Sequence, residues 1–213
     1  LADGIGDTIR VSLTADPLLP QWLALLAQLG GGRVTVVCGG GRFADEVRHA
    51  QALWQFDDVT AHNMAVLAMA QTAHMLHALE PRLVLAANES TIRQTMHAGR
   101  PALWVPYATL RDAPDMLTNW EVTSDSLAIW LARRLNAERL VVVKSCRIDP
   151  TQSFAELGQA GVLDLRFAEW ARDAAFPIEL VEVDEVPRVR DALLSGVMAG
   201  AGSPRPVTIE AAK

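Results

Sequence analysis

The sequence predicts an α/β protein, a three-layer αβα sandwich built on a mostly parallel central sheet. Segments of strand character alternate with segments of helix character along nearly the whole chain. The strands, Arg33–Cys38 (RVTVVC) above all, read as nearly continuous apolar runs, the pattern of a parallel sheet covered on both faces. Half of the 213 residues are hydrophobic, enough to fill a core against such a sheet.

Thr8–Leu13 (TIRVSL) is a short β-branched run and reads as the first strand. Asp16-Pro17-Leu18-Leu19-Pro20 opens a helix that carries Trp22, Leu23, Leu25, Leu26 and Leu29, and Gly30-Gly31-Gly32 ends it. The second strand, Arg33–Cys38, runs straight into Gly39-Gly40-Gly41, and Arg42–Trp54 follows as a helix. Val59–Leu79 is a long helix rich in Ala, Met and Leu. Arg82–Ala86 is a third strand, Ser90–Ala98 a helix closed by Gly99, and Ala102–Val105 a fourth strand stopped by Pro106. A loop through Asp112, Pro114 and Asp115 leads to Thr123-Ser124-Asp125-Ser126, where Thr123 or Ser124 can cap a helix with apolar Leu127, Trp130, Leu131 and Leu135. Arg139–Val143 is the fifth strand and ends in Lys144-Ser145-Cys146. Short helices over Gln152–Ala160 and Arg166–Ala174, a sixth strand Ile178–Val183 and a helix Val186–Met198 complete the pattern. We expect one domain over residues 1–199, with an atypical first strand within 1–13, and a flexible Gly- and Pro-rich tail over 200–213.

Composition excludes several function classes. A net charge of −6 argues against nucleic acid as a partner. No apolar run approaches the roughly 20 residues that span a bilayer, so no membrane association is expected. The first residues lack a basic region followed by an apolar one, so no secretory leader is expected. Cys38 and Cys146 each close an apolar run without CxxC or histidine companions, which predicts buried thiols in a reducing cytoplasm. His74 and His77 share a helix face, but no carboxylate or third histidine stands at ligand spacing, so they read as core or interface residues and no metal site is assigned. Met64, Met69 and Met75 read as packing.

Ligands of parallel α/β sheets bind beyond the carboxyl ends of the strands. Three polar signals fall there: Gly39–Gly41, Thr123–Ser126 and Lys144. Glycines at a helix start let backbone approach an anion closely, although strand-to-helix turns also use glycine for steric reasons. Asp125 falls in the first turn of its helix, among backbone N–H groups with no intrahelical partner.

The order strand–GGG–helix, then Asp58-x-x-x-His62 with MAVLAMAQ, then W-x-V-T-S-D-S from Trp120 and a strand ending in Lys-Ser, resembles the amino acid kinase superfamily. That superfamily includes aspartate, acetylglutamate, uridylate and isopentenyl phosphate kinases. The chain resembles more narrowly the aspartate/glutamate/uridylate kinase-like branch that contains the (aminomethyl)furanmethanol-phosphate kinase of methanofuran biosynthesis. The resemblance covers roughly residues 14 to 195.

It implies an amino acid kinase-like fold and ATP-dependent, Mg²⁺-assisted phosphoryl transfer to a small phosphorylated or carboxylated acceptor. It implies that Gly39, Gly40 and Gly41 face the transferring group, that Asp125 orders the catalytic lysines, and that Lys144 meets the nucleotide phosphates. Thr123, Ser124, Ser126 and Ser145 are the accompanying candidates for nucleotide contacts, and His62 for the acceptor. Arg48 either clamps an acceptor phosphate or carboxylate or is a solvated surface arginine. The family carries Lys-x-Gly-Gly-Ser on its first strand, where this chain reads Thr8-Ile9-Arg10-Val11-Ser12-Leu13. Arg10 stands as the remnant catalytic cation, but arginine does not copy a lysine's point charge. A nucleotide- or oxyanion-binding protein without catalysis is therefore the alternative. The Met- and Ala-rich helix Val59–Leu79 suits subunit packing, and a homo-oligomer is expected.

Overall fold

The computed structural model describes residues 6–11, 16–110 and 119–195. The tail from residue 200, Ser12 and most of the loop before Asn119 lie outside the described residues. Six strands, β1 Asp7–Val11, β2 Val34–Cys38, β3 Val84–Ala86, β4 Ala102–Trp104, β5 Arg139–Lys144 and β6 Ile178–Glu182, form one parallel sheet in the order β3-β4-β2-β1-β5-β6. The helices are α1 Leu19–Leu29, α2 Gly41–Trp54, α3 Asp58–Leu79, α4 Glu89–His97, α5 Tyr107–Leu110, α6 Ser124–Leu135, α7 Phe154–Gln159, α8 Phe167–Arg172 and α9 Val186–Ser195. Expected and observed ends differ by one or two residues at most elements, as fraying termini allow. At β5 the difference matters, because Lys144 belongs to the strand.

Strand alternation divides the core in two. Ile9, Val11, Val36, Val141 and Val143 pack under α1, α9 and the C-terminal half of α3. Val37, Ala102, Trp104, Leu140 and Val142 pack under α4, α6, α7 and α8. Trp104 stacks on Trp130 of α6 at 6.0 Å between ring centroids. The helix that follows β1 lies on one face and those that follow β5 lie on the other, so connections diverge between these neighbouring strands. Such a switch point leaves a crevice at the strands' carboxyl ends.

Helix starts follow local chemistry. Asp57 caps α3 by accepting from the Thr60 N–H at 2.7 Å, and reciprocal capping boxes open α4 (Asn88, Thr91) and α7 (Ser153, Glu156). Among the described helices none is long and apolar enough to cross a membrane.

The thiols differ from expectation. Cys38 is buried on β2, and burial pushes its pKa up to about 12. Cys146 is exposed, because β5 ends at Lys144 and the chain leaves the core two residues earlier than the apolar run suggests. A thiol reagent at pH 8 should therefore modify one cysteine in the native protein, Cys146, and reach Cys38 only on unfolding. Peptide mapping of the labelled protein checks this, and equal labelling of both would contradict the packing of β2.

Candidate functional site at the carboxyl ends of the central strands

Thr8 and Arg10 point to the α6 face of the sheet, where nonpolar side chains would be expected on a central strand. Arg10 sits opposite Val142 in the β1–β5 register, and Lys144 lies two residues beyond Val142, so both cations emerge on the same face. Between them stands Asp125 from the first turn of α6. Its Oδ2 accepts from Lys144 Nζ at 2.7 Å, and its Oδ1 lies 2.9 Å from Arg10 Nε. The latter contact is an ion pair off the hydrogen-bonding direction, since neither atom makes a well-aligned hydrogen bond. Arg10 Nη2 donates to Ser124 Oγ at 2.8 Å, while Nη1 has no partner among the described residues.

All three groups are buried, with Arg10 4% exposed, Asp125 3% and Lys144 8%. Two cations against one carboxylate leave an excess positive charge in a low-dielectric setting, which favours an incoming anion. Burial lowers the Lys144 pKa, the Arg10 charge lowers it further, and Asp125 works in the opposite direction.

The start of α6 differs from expectation. Thr123 occupies the cap position, but its side chain makes no capping bond within the helix. The cap comes from Asp164, in the turn between α7 and α8. Asp164 Oδ2 accepts from the backbone N–H groups of Thr123 and Ser126, each at 2.9 Å, and from Thr123 Oγ1 at 3.1 Å, while Oδ1 accepts from Ser126 Oγ at 2.5 Å. A carboxylate there complements the helix dipole. Burial raises the Asp164 pKa, against the hydrogen bonds from Ser126 that lower it. The hydroxyl of Ser126 is thus donated to a protein carboxylate, and the residue is fully buried.

Beside the cluster lies a cleft of about 270 Å³. Of the residues singled out by sequence, Arg10, Gly39, Gly40, Gly41, Arg48, His62, Thr123 and Ser124 line it, whereas Asp125, Ser126, Lys144 and Ser145 do not. Ser145 is exposed past the end of β5. One wall is apolar, formed by Ala65, Val66, Met69, Val122 and Leu127; Asp45 and Asp58 add carboxylates at the α2–α3 side.

The Arg48 guanidinium is half-exposed, 3.1 Å from Asp45 Oδ1 and 4.5 Å from the centroid of the Trp120 ring. It is held as a stacked cation facing the cleft rather than a freely solvated side chain. Trp120 in turn donates from Nε1 to Gln51 Oε1 at 2.5 Å. His62 Nε2 lies 3.2 Å from the Leu110 carbonyl oxygen, and a carbonyl only accepts, so this nitrogen carries the proton.

The glycine turn combines steric and chemical roles. Gly41 begins α2 with φ +53°, and α2 has no side-chain cap and no acidic residue in its first turn, so its leading N–H groups remain available to an anion. A Cβ on Gly40 would stand 2.5 Å from Ala44 Cβ and 3.3 Å from Ala68 Cβ, so this glycine also sets how closely α2 approaches α3. Gly40→Ala should destabilise the protein by about 1–3 kcal/mol through overpacking, a loss readable from urea unfolding; an unchanged midpoint would show that the turn yields freely.

Among the described residues Mg²⁺ finds no protein cage at this site. Both oxygens of Asp125 are engaged by cations, and no group of three or more His, Cys, Asp or Glu side chains converges among the described residues. Asp125 serves the two cations, and a magnesium ion would have to arrive with nucleotide phosphates.

Sequence reasoning missed Asp164, which belongs to no motif and meets Thr123 from 41 residues away. A usable signal went unread for Lys144. Lysine occurs only at 144 and 213, while 17 arginines supply the other cations. A chain that uses arginine almost everywhere else places a lysine at the strand end, where a compact point charge differs from a planar fork.

No family model and no curated protein matches the chain. Solved structures do share its fold. The uridylate kinase from Archaeoglobus fulgidus superposes with a TM-score of 0.67 at 14% identity, covering 92% of this chain and 98% of that one. The UMP kinase from Bacillus anthracis gives 0.63 at 17% identity, with 90% and 93% covered. An isopentenyl phosphate kinase gives 0.58 at 12% identity, with 89% and 96% covered. The architecture expected from the sequence is therefore the one found, a parallel sheet between helical layers of the amino acid kinase type.

Proposed function

We propose that the protein transfers the terminal phosphoryl group of ATP to a small acceptor bearing a phosphate or carboxylate. The observation that carries this reading is the buried Arg10–Asp125–Lys144 cluster, with its surplus positive charge, beside a cleft fronted by the Gly39–Gly41 turn. Phosphoryl transfer needs positioning and neutralisation of charge on the transferring oxygens more than it needs covalent help. The fold neighbours act, by their names, on uridylate and isopentenyl phosphate, both phosphorylated acceptors, which supports the acceptor class. On the sequence resemblance, a furan-methanol phosphate of one-carbon cofactor biosynthesis is the specific acceptor we favour.

In this scheme the acceptor occupies the cleft, its anionic oxygen directed at the α2 N-terminus and Arg10, and Arg48 on Trp120 holds its outer end. The acceptor oxygen forms the new bond to the γ-phosphorus as the bond to the bridging oxygen of ADP breaks. An acceptor that is already an anion has no proton to lose, so no general base is required. Lys144 neutralises charge on the nucleotide phosphates, and Asp125 fixes both cations. Thr123 and Ser124 line the cleft, and Ser145 remains a candidate for outer nucleotide contact. Mg²⁺ bound with ATP would supply further charge neutralisation.

The purified protein with ATP, Mg²⁺ and candidate acceptor phosphates should release ADP stoichiometrically with phosphorylated product. Absence of turnover with furan-methanol phosphate, UMP and related acceptors would sink the proposal. One observation favours a second reading, binding without catalysis: the Arg10 guanidinium is committed to Asp125 and Ser124 where the resembling family carries a lysine. That reading expects ATP to raise the melting temperature without ADP release. We further propose that the outer side of α3, which carries no Asp, Glu, Lys or Arg from Val59 to Leu79, packs against a second copy.

A further inference from the structure

We propose that Asp164 is a positioning residue, which holds the start of α6 so that Asp125 and Ser124 meet Lys144 and Arg10 and the cleft keeps its wall. The functional weight of this inference rests on the phosphoryl-transfer reading above, whereas its structural content does not.

The α7–α8 turn clasps residues 121–126 at several points. Besides the four bonds accepted by Asp164, the Arg166 backbone N–H donates to the Glu121 carbonyl at 3.2 Å, and Arg166 Nε donates to Glu121 Oε2 at 2.8 Å. The clasp stands on a packed base. Leu157, Leu163 and Phe167 are buried in the α6-side core, Phe154 meets Phe167 edge-to-face at 5.3 Å, and the Phe167 N–H donates to the Asp164 carbonyl at 3.2 Å.

The clasped segment carries two kinds of site residue. Val122, Thr123 and Ser124 line the cleft, while Ser124 and Asp125 bind the two cations. Asp164 is absent from the cleft's lining. Because the Thr123 side chain makes no capping bond of its own, Asp164 is the group that caps the leading N–H groups of α6. Removing the Asp164 carboxylate would leave the buried Ser126 hydroxyl and two backbone N–H groups without acceptors, and the first turn would shift to find new ones. Displacement of about 1 Å at a catalytic group is enough to slow a reaction 100-fold.

Lys144 and Lys213 are the only lysines, so the state of Lys144 can be read directly by acylation and mass spectrometry, with Lys213 as internal reference. With Asp164→Ala, Lys144 labelling relative to Lys213 should rise at least five-fold, because Asp125 no longer holds the amine. Asp164→Asn keeps the shape and an accepting oxygen, and it should bring labelling back to within two-fold of wild type. In ADP-release assays Asp164→Ala should lower kcat at least ten-fold with KM within three-fold, and Asp164→Asn should recover most of that loss.

Unchanged Lys144 labelling in a folded Asp164→Ala protein overturns the proposal, as does an Asp164→Asn protein that labels as fast as the alanine variant. If the alanine variant does not fold, Ser126→Ala takes its place: it removes the 2.5 Å contact alone, and labelling that fails to rise two-fold counts against the inference. If wild type releases no ADP, the kinase reading fails, while the labelling result still decides the role of Asp164.

Discussion

Asp125→Ala should cost about 3–5 kcal/mol of folding stability, because it strands two buried cations without their shared counter-ion. Arg10 and Lys144 are 4% and 8% exposed, so water cannot replace the carboxylate without opening the sheet end. Arginine does not shed its proton, which leaves neutralisation of Lys144 as the available relief. The loss should appear as a lower urea midpoint with an unchanged slope. It should be accompanied by loss of any phosphoryl transfer, since neither cation would keep its place. A variant as stable as wild type would show that the two cations are solvated in solution, and the cluster would lose its standing as a site.

Lys144→Met should do the reverse, sparing stability while removing activity. The variant leaves Arg10 paired with Asp125 one to one, and methionine fills a similar volume at the end of β5. Its stability at pH 7 is expected within about 1 kcal/mol of wild type, since the desolvation cost of the amine is lost together with its attraction to Asp125, which keeps Arg10 as counter-ion. The rate of ADP release should fall by about 10²–10³-fold, the usual effect of deleting one group that stabilises transition-state charge. The pH dependence separates the two contributions. Burial and Arg10 hold the folded pKa of Lys144 below its unfolded value. The native state therefore releases this proton first, and the group adds stability as pH rises from the folded value toward the unfolded one, about 10.4. Wild type should thus gain on Lys144→Met in urea titrations at alkaline pH, and a constant difference would contradict the burial of the amine.

The two variants separate what holds the site together from what the site does. Asp125 is needed by both neighbours, so its removal is structural first. Lys144 is tolerated by the fold at some electrostatic expense, and that expense makes sense as a standing affinity for anions.

Much of the architecture was legible in the chain because the signals are local. Apolar runs marked β2 and β5, helical spacing of Leu127, Trp130, Leu131 and Leu135 marked α6, and Gly39–Gly41 marked a strand-to-helix turn. That Gly39–Gly41, Thr123–Ser126 and Lys144 fall at the carboxyl ends of the strands was also legible, since parallel strands bring those ends to one side, whereas Arg10 entered only through the family resemblance. The cap on α6 was read wrongly for a physical reason. Thr123 satisfies the local rules for a cap and occupies the cap position, but a buried carboxylate from another part of the chain takes the Ser126 N–H that its side chain would accept. Cys146 was placed inside because an apolar run was extended past the residue where the strand ends.

By itself, then, the sequence determined the alternation of strands and helices, the parallel sheet and the polar residues at its carboxyl edge, because periodicity of two or 3.6 residues and turn chemistry act over short stretches. Only the tertiary structure decided which polar groups meet. Arg10 reaches Ser124 across 114 residues and Asp164 reaches Thr123 across 41, and such pairings depend on strand order and helix packing, which no local pattern encodes.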